Sequence, residues 1–221
     1  MNIKLGLILA MILLHQNGFS QSSKLTKTGT DKAAETYLDP ILNMVSTRLH
    51  YGNSNGELAD YKKPLWGLQA GLSMQAGITP EFSLVPELYF IMRGGRLKSN
   101  NPLTLGKTTA RFYTLESPLL ARFHFHNFHV NAGPSVAYNL DGSIKVKGAS
   151  GSSGNSFKRW EAGMQFGGGY SFRIKGRRLA FDLRYNYGLT NISRSYKMYT
   201  RSFVLSVQFS KPWKTNPLAG K

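Results

Sequence analysis

From about Met44 onward this 221-residue chain repeats with a period of two, and that alternation constrains its fold more than any other feature. In SPLLARFHFHNFHVNAGPSVAYNL, residues 117–140, one face carries Leu119, Ala121, Phe123 and Phe125. After a fold-back at His126 and Asn127 the same face continues with Phe128, Val130, Ala132, Val136 and Tyr138. The opposite face carries Arg122, His124, His129, Asn131, Ser135 and Asn139. Successive side chains of a strand point to opposite sides, so each strand here has one oily and one polar surface. An oily sheet face needs an apolar partner, and the rest of the chain offers no second layer to cover it.

Eight such segments follow one another, at about 44–52, 64–76, 82–92, 110–125, 128–139, 158–172, 179–188 and 198–209. Their connections alternate in length. Short ones fall at Gly77 to Glu81, His126 to Asn127 and Arg173 to Arg178, and long ones at Asn53 to Lys63, Arg93 to Thr109, Leu140 to Phe157 and Leu189 to Lys197. The Gly/Ser-rich run DGSIKVKGASGSSGNSF has strands of one type on both sides, so it reads as a loop rather than a linker. Alternating short and long connections predict an up-and-down antiparallel sheet with one rim in a confined space and the other facing outward. An even strand number puts both termini on the short-turn side.

The residues of the polar face decide what the oily face touches. In the sixth segment Trp160, Ala162, Met164, Phe166, Gly168, Tyr170 and Phe172 oppose Arg159, Glu161, Gly163, Gln165, Gly167, Gly169 and Ser171. A soluble sandwich or lipocalin-like barrel would turn the first set inward and leave the second to water. A solvated face would be rich in Lys, Glu and Thr, whereas these faces combine Gly, Ser, Asn and Gln with a few ionised groups near strand centres. That composition suits the crowded lumen of a membrane barrel, with lipid wetting the aromatics. The expected architecture is therefore an all-β, eight-stranded antiparallel up-and-down transmembrane barrel with short periplasmic turns and longer extracellular loops.

Inside such a barrel a lone charge is very costly. Glu87, Glu116, Glu161 and Asp182 are accordingly expected to pair with Arg122, Arg159 and Arg184 in a lumenal network. Trp66, Tyr113, Trp160, Tyr170, Tyr187 and Tyr199 suit interfacial girdles. Closure satisfies every backbone group at hydrocarbon depth, and spans of roughly 9 to 11 tilted residues suffice. Eight strands enclose just enough space to fill with side chains, so no sizeable pore is expected.

The segment MNIKLGLILAMILLHQNGFSQ has a positive start at Lys4, an apolar run from Leu5 to Leu14, and small residues at Gly18 and Ser20. It reads as a signal peptide cleaved after Ser20, the run being too short for a spanning anchor. The expected organisation is signal peptide 1–20, periplasmic tail 21–43, barrel 44–210 and C-terminal tail 211–221. With no cysteine, disulfides, a lipidated N-terminal cysteine and thiolate metal sites are excluded.

The 28 basic and 11 acidic residues leave a formal charge of +17, which favours anionic partners. Export argues against nucleic acid. The basic residues gather in the long connections: Arg93, Arg96, Lys98 and Lys107 in the second, Lys145 and Lys147 in the third, Arg194 and Lys197 in the fourth. At an outer leaflet they would bind lipopolysaccharide phosphates through charge-assisted contacts. Outer-membrane lipid and such phosphates are thus the expected partners, with simple hydration of these side chains as the alternative.

Nearly the whole mature chain resembles the PorT-like outer-membrane β-barrel family of Bacteroidetes. The stretches that carry the resemblance are GLQAGLSMQAG (67–77), PELYFIMRGG (86–95), LESPLLARF (115–123), AGPSVAYNL (132–140) and GGGYSFRIKGRRLAFDLRYNYGLTNI (167–192). Thr114 and Ser117 depart from the family's usual Tyr-Leu-Glu-Ile-Pro pattern, and the first strand matches poorly. The resemblance implies an eight-stranded barrel in the outer membrane. It does not imply one activity, although the family's namesake belongs to a protein secretion machinery.

Other motifs carry little chemistry. LGKTT at 105–109 lacks the glycine a phosphate loop requires, since Asn101 stands in its place. The triple glycine at 167–169 lacks a strand-to-helix context and reads as relief of crowding. His124, His126 and His129 cluster at a turn, but only the first two share parity and no neighbouring carboxylate completes a metal site. Glu116 and Asp182 have no fixed separation that would make them an acid and base pair. No cofactor is expected and no enzyme. The expected function is a non-enzymatic barrel anchoring basic loops for binding or envelope integrity, the alternatives being a narrow transport channel or a secretion-machinery component.

Overall fold

The computed structural model describes residues 36–52, 56–102, 105–147, 157–194 and 197–210. The segments expected as signal peptide (1–20) and C-terminal tail (211–221), and positions 21–35 of the expected periplasmic tail, lie outside the described residues. Eight strands run in order: β1 (Tyr37–His50), β2 (Lys62–Gly77), β3 (Phe82–Leu97), β4 (Thr108–Phe125), β5 (Phe128–Val146), β6 (Trp160–Ile174), β7 (Arg177–Gly188) and β8 (Tyr199–Ser210). Each pairs antiparallel with its neighbours in sequence, and β1 closes on β8 from Met44 opposite Leu205 to His50 opposite Tyr199. Closure leaves no strand edge, as a sheet in lipid requires.

At one rim the connections are tight. Lys175 and Gly176 both take positive φ, 49° and 74°, the combination that matches a two-residue turn to the twist of its strands. His126, with φ 58°, turns β4 into β5. The first residues of β1 sit at the same rim, Tyr37 lying opposite Gln75 near the end of β2.

Side-chain parity is inverted relative to a soluble domain. Leu42 is 70% exposed and Phe128 63%, while the largest fully buried side chains include Arg122 and Arg184, each 1% exposed. Large hydrophobics cover the outside on every strand, among them Leu68, Leu88, Leu119, Val136, Phe166, Leu183 and Leu205. Aromatic pairs reinforce both ends of this band. Tyr138 and Trp160 meet edge to face at 5.0 Å toward the loop rim, as do Phe128 and Tyr170 at 4.8 Å toward the turn rim.

Two boundaries differ from the sequence reading. β1 begins at Tyr37, not Met44. Its inward face mixes Tyr37, Ile41 and Val45 with Asp39 and Asn43, while Leu38, Leu42 and Met44 face out, and apolar residues on both faces blur the alternation. The β3–β4–β5 sheet also extends beyond the oily band. Its ladders continue to Leu97 opposite Thr108 and Thr108 opposite Val146, so part of the expected second and third loops is strand. A bulge at Leu140 flips the parity of β5 where this extension begins; beyond it outward and inward residues alternate again, and the outward set changes from apolar to polar and basic.

Candidate functional site

The lumen holds three tiers of ionic contacts. Nearest the loop rim, Arg93 from β3 reaches Glu116 on β4 at 3.4 Å and Glu161 on β6 at 2.5 Å. The Thr200 hydroxyl donates to Glu161, and Gln165 and Asn186 each donate to Glu116 at 3.0 Å. In the middle, Arg184 on β7 donates to Glu87 on β3 at 2.6 Å, and the Ser73 hydroxyl donates to the other oxygen of Glu87 at 2.9 Å. Toward the turn rim, Asp182 Oδ1 accepts from Asn131 and lies 3.0 Å from His129 Nε2 and 3.4 Å from Arg122. Arg122 and Arg178 share the Gln75 side-chain carbonyl at 3.0 and 2.6 Å, and Arg178 continues to Asp39 at 3.0 Å. Charge-assisted bonds of this kind offset the desolvation of enclosed ions only because each ion has a partner.

Two features make this packing possible. A Cβ on Gly167 would lie 2.5 Å from Arg184 Cγ, and one on Gly169 would lie 2.1 Å from the Phe181 carbonyl and 2.7 Å from His129 Nε2. Glycine at these two inward positions leaves space for the arginine and the imidazole. Above the ions, an apolar cluster of Leu49, Tyr51, Leu58, Leu97, Phe112, Phe157, Ile192 and Met198 fills the loop-side mouth, with Phe112 and Phe157 edge to face at 4.5 Å. Along the opposite wall Asn43 and Gln69, paired in register, keep buried side-chain amides without a protein partner.

Outside, the oily band ends at the loop rim in Trp66, Tyr113, Trp160 and Tyr187, and Tyr170 stands toward the turn rim. Beyond the loop-side aromatics a basic collar follows: Arg48, Lys63, Arg96, Arg111, Lys145, Arg159 and Arg201. The register sets these residues side by side, with Arg48 opposite Arg201, Lys63 opposite Arg96 and Lys145 opposite Thr109. Arg201 lies over the Tyr187 ring at 3.3 Å.

Of the residues expected in the lumen, Glu87, Glu116, Arg122, Glu161, Asp182 and Arg184 point inward and take part in these contacts. Arg159 does not. It precedes the first residue of β6, is exposed, and donates to the Tyr138 hydroxyl at 2.7 Å, so it belongs to the collar. The cation that serves Glu116 and Glu161 is Arg93, which the sequence reading assigns to a loop. Because β3 runs on to Leu97, Arg93 keeps inward parity and is 2% exposed, so it is unavailable to an external anion. Arg178 and Asp39 were missed, although Arg178 shares the parity of Asp182 and Arg184.

Among the loop cations, Arg96, Lys107 and Lys145 line one outer cleft, while Lys98, Lys147, Arg194 and Lys197 are exposed beyond the strands. Glu116 and Asp182 lie in different tiers, with no shared site. His124 and His129 face each other across β4 and β5 with ring centroids 6.1 Å apart but take different partners: His129 engages Asp182, a carboxylate from β7 that the sequence reading did not bring near, and His124 engages Ser83 at 3.0 Å.

Comparison with known proteins bears on the family. The chain is similar to Ail, the attachment invasion locus protein of Yersinia pestis, with 9% identity, TM-score 0.46, and 80% of this chain and 99% of that one covered. AlkL gives 14% identity and TM-score 0.49 over 91% of this chain and 99% of that one. OprG of Pseudomonas aeruginosa gives 13% and 0.44 over 84% and 98%. No curated protein matches the chain. Residues 19–194 match the family described as outer membrane protein beta-barrel domain, and the chain belongs to that outer-membrane β-barrel family.

Proposed function

We propose that the protein is a non-conducting, non-enzymatic barrel of the outer membrane, exported by cleavage of residues 1–20, whose body holds the basic collar and loops against phosphates of the outer leaflet. The observation that carries the reading is the filled lumen: ionic tiers from Asp39 to Glu161, closed above by the Phe112 and Phe157 cluster. Short turns of such barrels face the periplasm, which sets the collar at the outer surface. The matching stretches at 67–77 and 167–192 support affiliation with the PorT-like group within the family.

The test is single-channel recording of the full chain in planar bilayers. Silence is expected in material that migrates differently on a denaturing gel before and after boiling. Steady openings would move the protein to the transport class, with Asn43 and Gln69 as the natural wet wall. Purification in stable association with other envelope proteins would move it to the secretion-machinery class.

A further inference from the structure

The collar contains one built site. On the outer wall a cleft of about 390 Å³ is lined by Arg96 from β3, Lys107, Thr109, Arg111 and Tyr113 along β4 and its approach, and Ser143 and Lys145 from β5. Four of the seven lining side chains are cations, three carry hydroxyls, and none is acidic. We infer that this cleft binds the phosphate of an outer-leaflet lipid headgroup. The inference rests on the collar lying at the outer leaflet, and it narrows a diffuse charge to one place with one ligand chemistry.

The register builds the cleft. Thr109 lies opposite both Arg96 and Lys145, and Arg111 lies opposite Gly94 on one side and Ser143 on the other. Gly94 and Ser143 are small, so the Arg111 guanidinium stands in a trough between larger neighbours. Its Nε is buried and has no hydrogen-bond partner. A guanidinium so placed presents a planar fork suited to phosphate oxygens. The carboxylate nearest in register, Asp141, accepts instead from the Gly142 N–H at 2.8 Å. With no acidic residue in the lining the gathered cations repel one another, and an anion between them removes that repulsion.

The position selects a lipid over a free anion. Tyr113, at the membrane end of the cleft, stacks on Phe90 with ring centroids 6.0 Å apart, as interfacial aromatics do. Directly below, Leu115 and Phe90 face outward where acyl chains run. A headgroup phosphate in the cleft therefore has its chains against the oily wall without bending. The volume lies in the range of small-molecule sites, about 300–1,000 Å³, and accommodates a phosphate together with the sugar that bears it.

Native mass spectrometry of the full chain in detergent micelles tests this with three probes: diphosphoryl lipid A, its dephosphorylated form and inorganic pyrophosphate. The expected result is binding of diphosphoryl lipid A, weakened about tenfold or more in Lys107→Gln/Arg111→Gln by loss of charge-assisted contacts. Arg111→Lys, which keeps the charge but loses the fork, is expected in between. Lys98→Gln/Lys197→Gln, which removes two loop cations outside the cleft, is expected to weaken binding less than the cleft variant does. Boiled and unboiled migration verifies folding of each variant. Equal losses in both double variants would overturn the cleft while leaving the collar reading intact, and no loss in either would overturn both. Dephosphorylated lipid A binding as well as the phosphorylated form would refute phosphate recognition. Pyrophosphate binding as tightly as lipid A would refute the lipid assignment.

Discussion

Replacing Arg184 by Met tests whether the lumen is a dry, paired interior. Arg184 and Glu87 are 1% and 3% exposed and meet at 2.6 Å, so removing the guanidinium strands a carboxylate whose remaining partner is the Ser73 hydroxyl. Breaking a buried ion pair from one side costs about 3–5 kcal/mol, because the surviving charge keeps its desolvation penalty without its counter-ion. Glu87→Leu should cost a similar amount for the mirror reason. The double variant Glu87→Leu/Arg184→Met removes both penalties, and buried pairs replaced by apolar groups fall between neutral and about 1–4 kcal/mol more stable. A coupling energy of several kcal/mol should therefore appear in the double-mutant cycle, well above the ~0.5 kcal/mol scatter of independent sites. The measurement is equilibrium urea unfolding in lipid vesicles, followed by tryptophan fluorescence. Single-variant losses under about 1 kcal/mol with additive behaviour would mean that water reaches both groups, as for an exposed pair. The account of a plugged interior would then be wrong.

Two further outcomes follow from the same geometry. Gly169→Ala should destabilise the barrel by about 1–3 kcal/mol in the same assay, since the new methyl meets the Phe181 carbonyl and the His129 ring that engages Asp182; no change would mean that the lumen has slack there. Leu205→Arg, between Met44 and Leu183 on the outer wall, should cost about 2–4 kcal/mol if the residue meets hydrocarbon, and close to nothing if that wall meets water.

The approximate positions of all eight strands and the inside-out distribution of oil and polarity were legible in the sequence, because parity along a strand is a local property. Six of the seven residues expected in the lumen face it for that reason. Arg159 failed because it lies just outside β6, and Arg93 because the ladder between β3 and β4 outlasts the oily band from which strand ends were read. β1 was the least legible strand, its inward face mixing Ile41 and Val45 with Asp39 and Asn43.

The chain by itself determined which side of each strand meets lipid and, through strand parity, six of the enclosed ions. Tertiary structure alone decided who pairs with whom: Arg93 with Glu161 across a sequence separation of 68, Arg178 with Asp39 across 139. Those partners depend on the stagger with which the sheet closes on itself, a global quantity that no local pattern encodes. The same closure and register collect Arg96, Arg111 and Lys145 from three strands into one cleft.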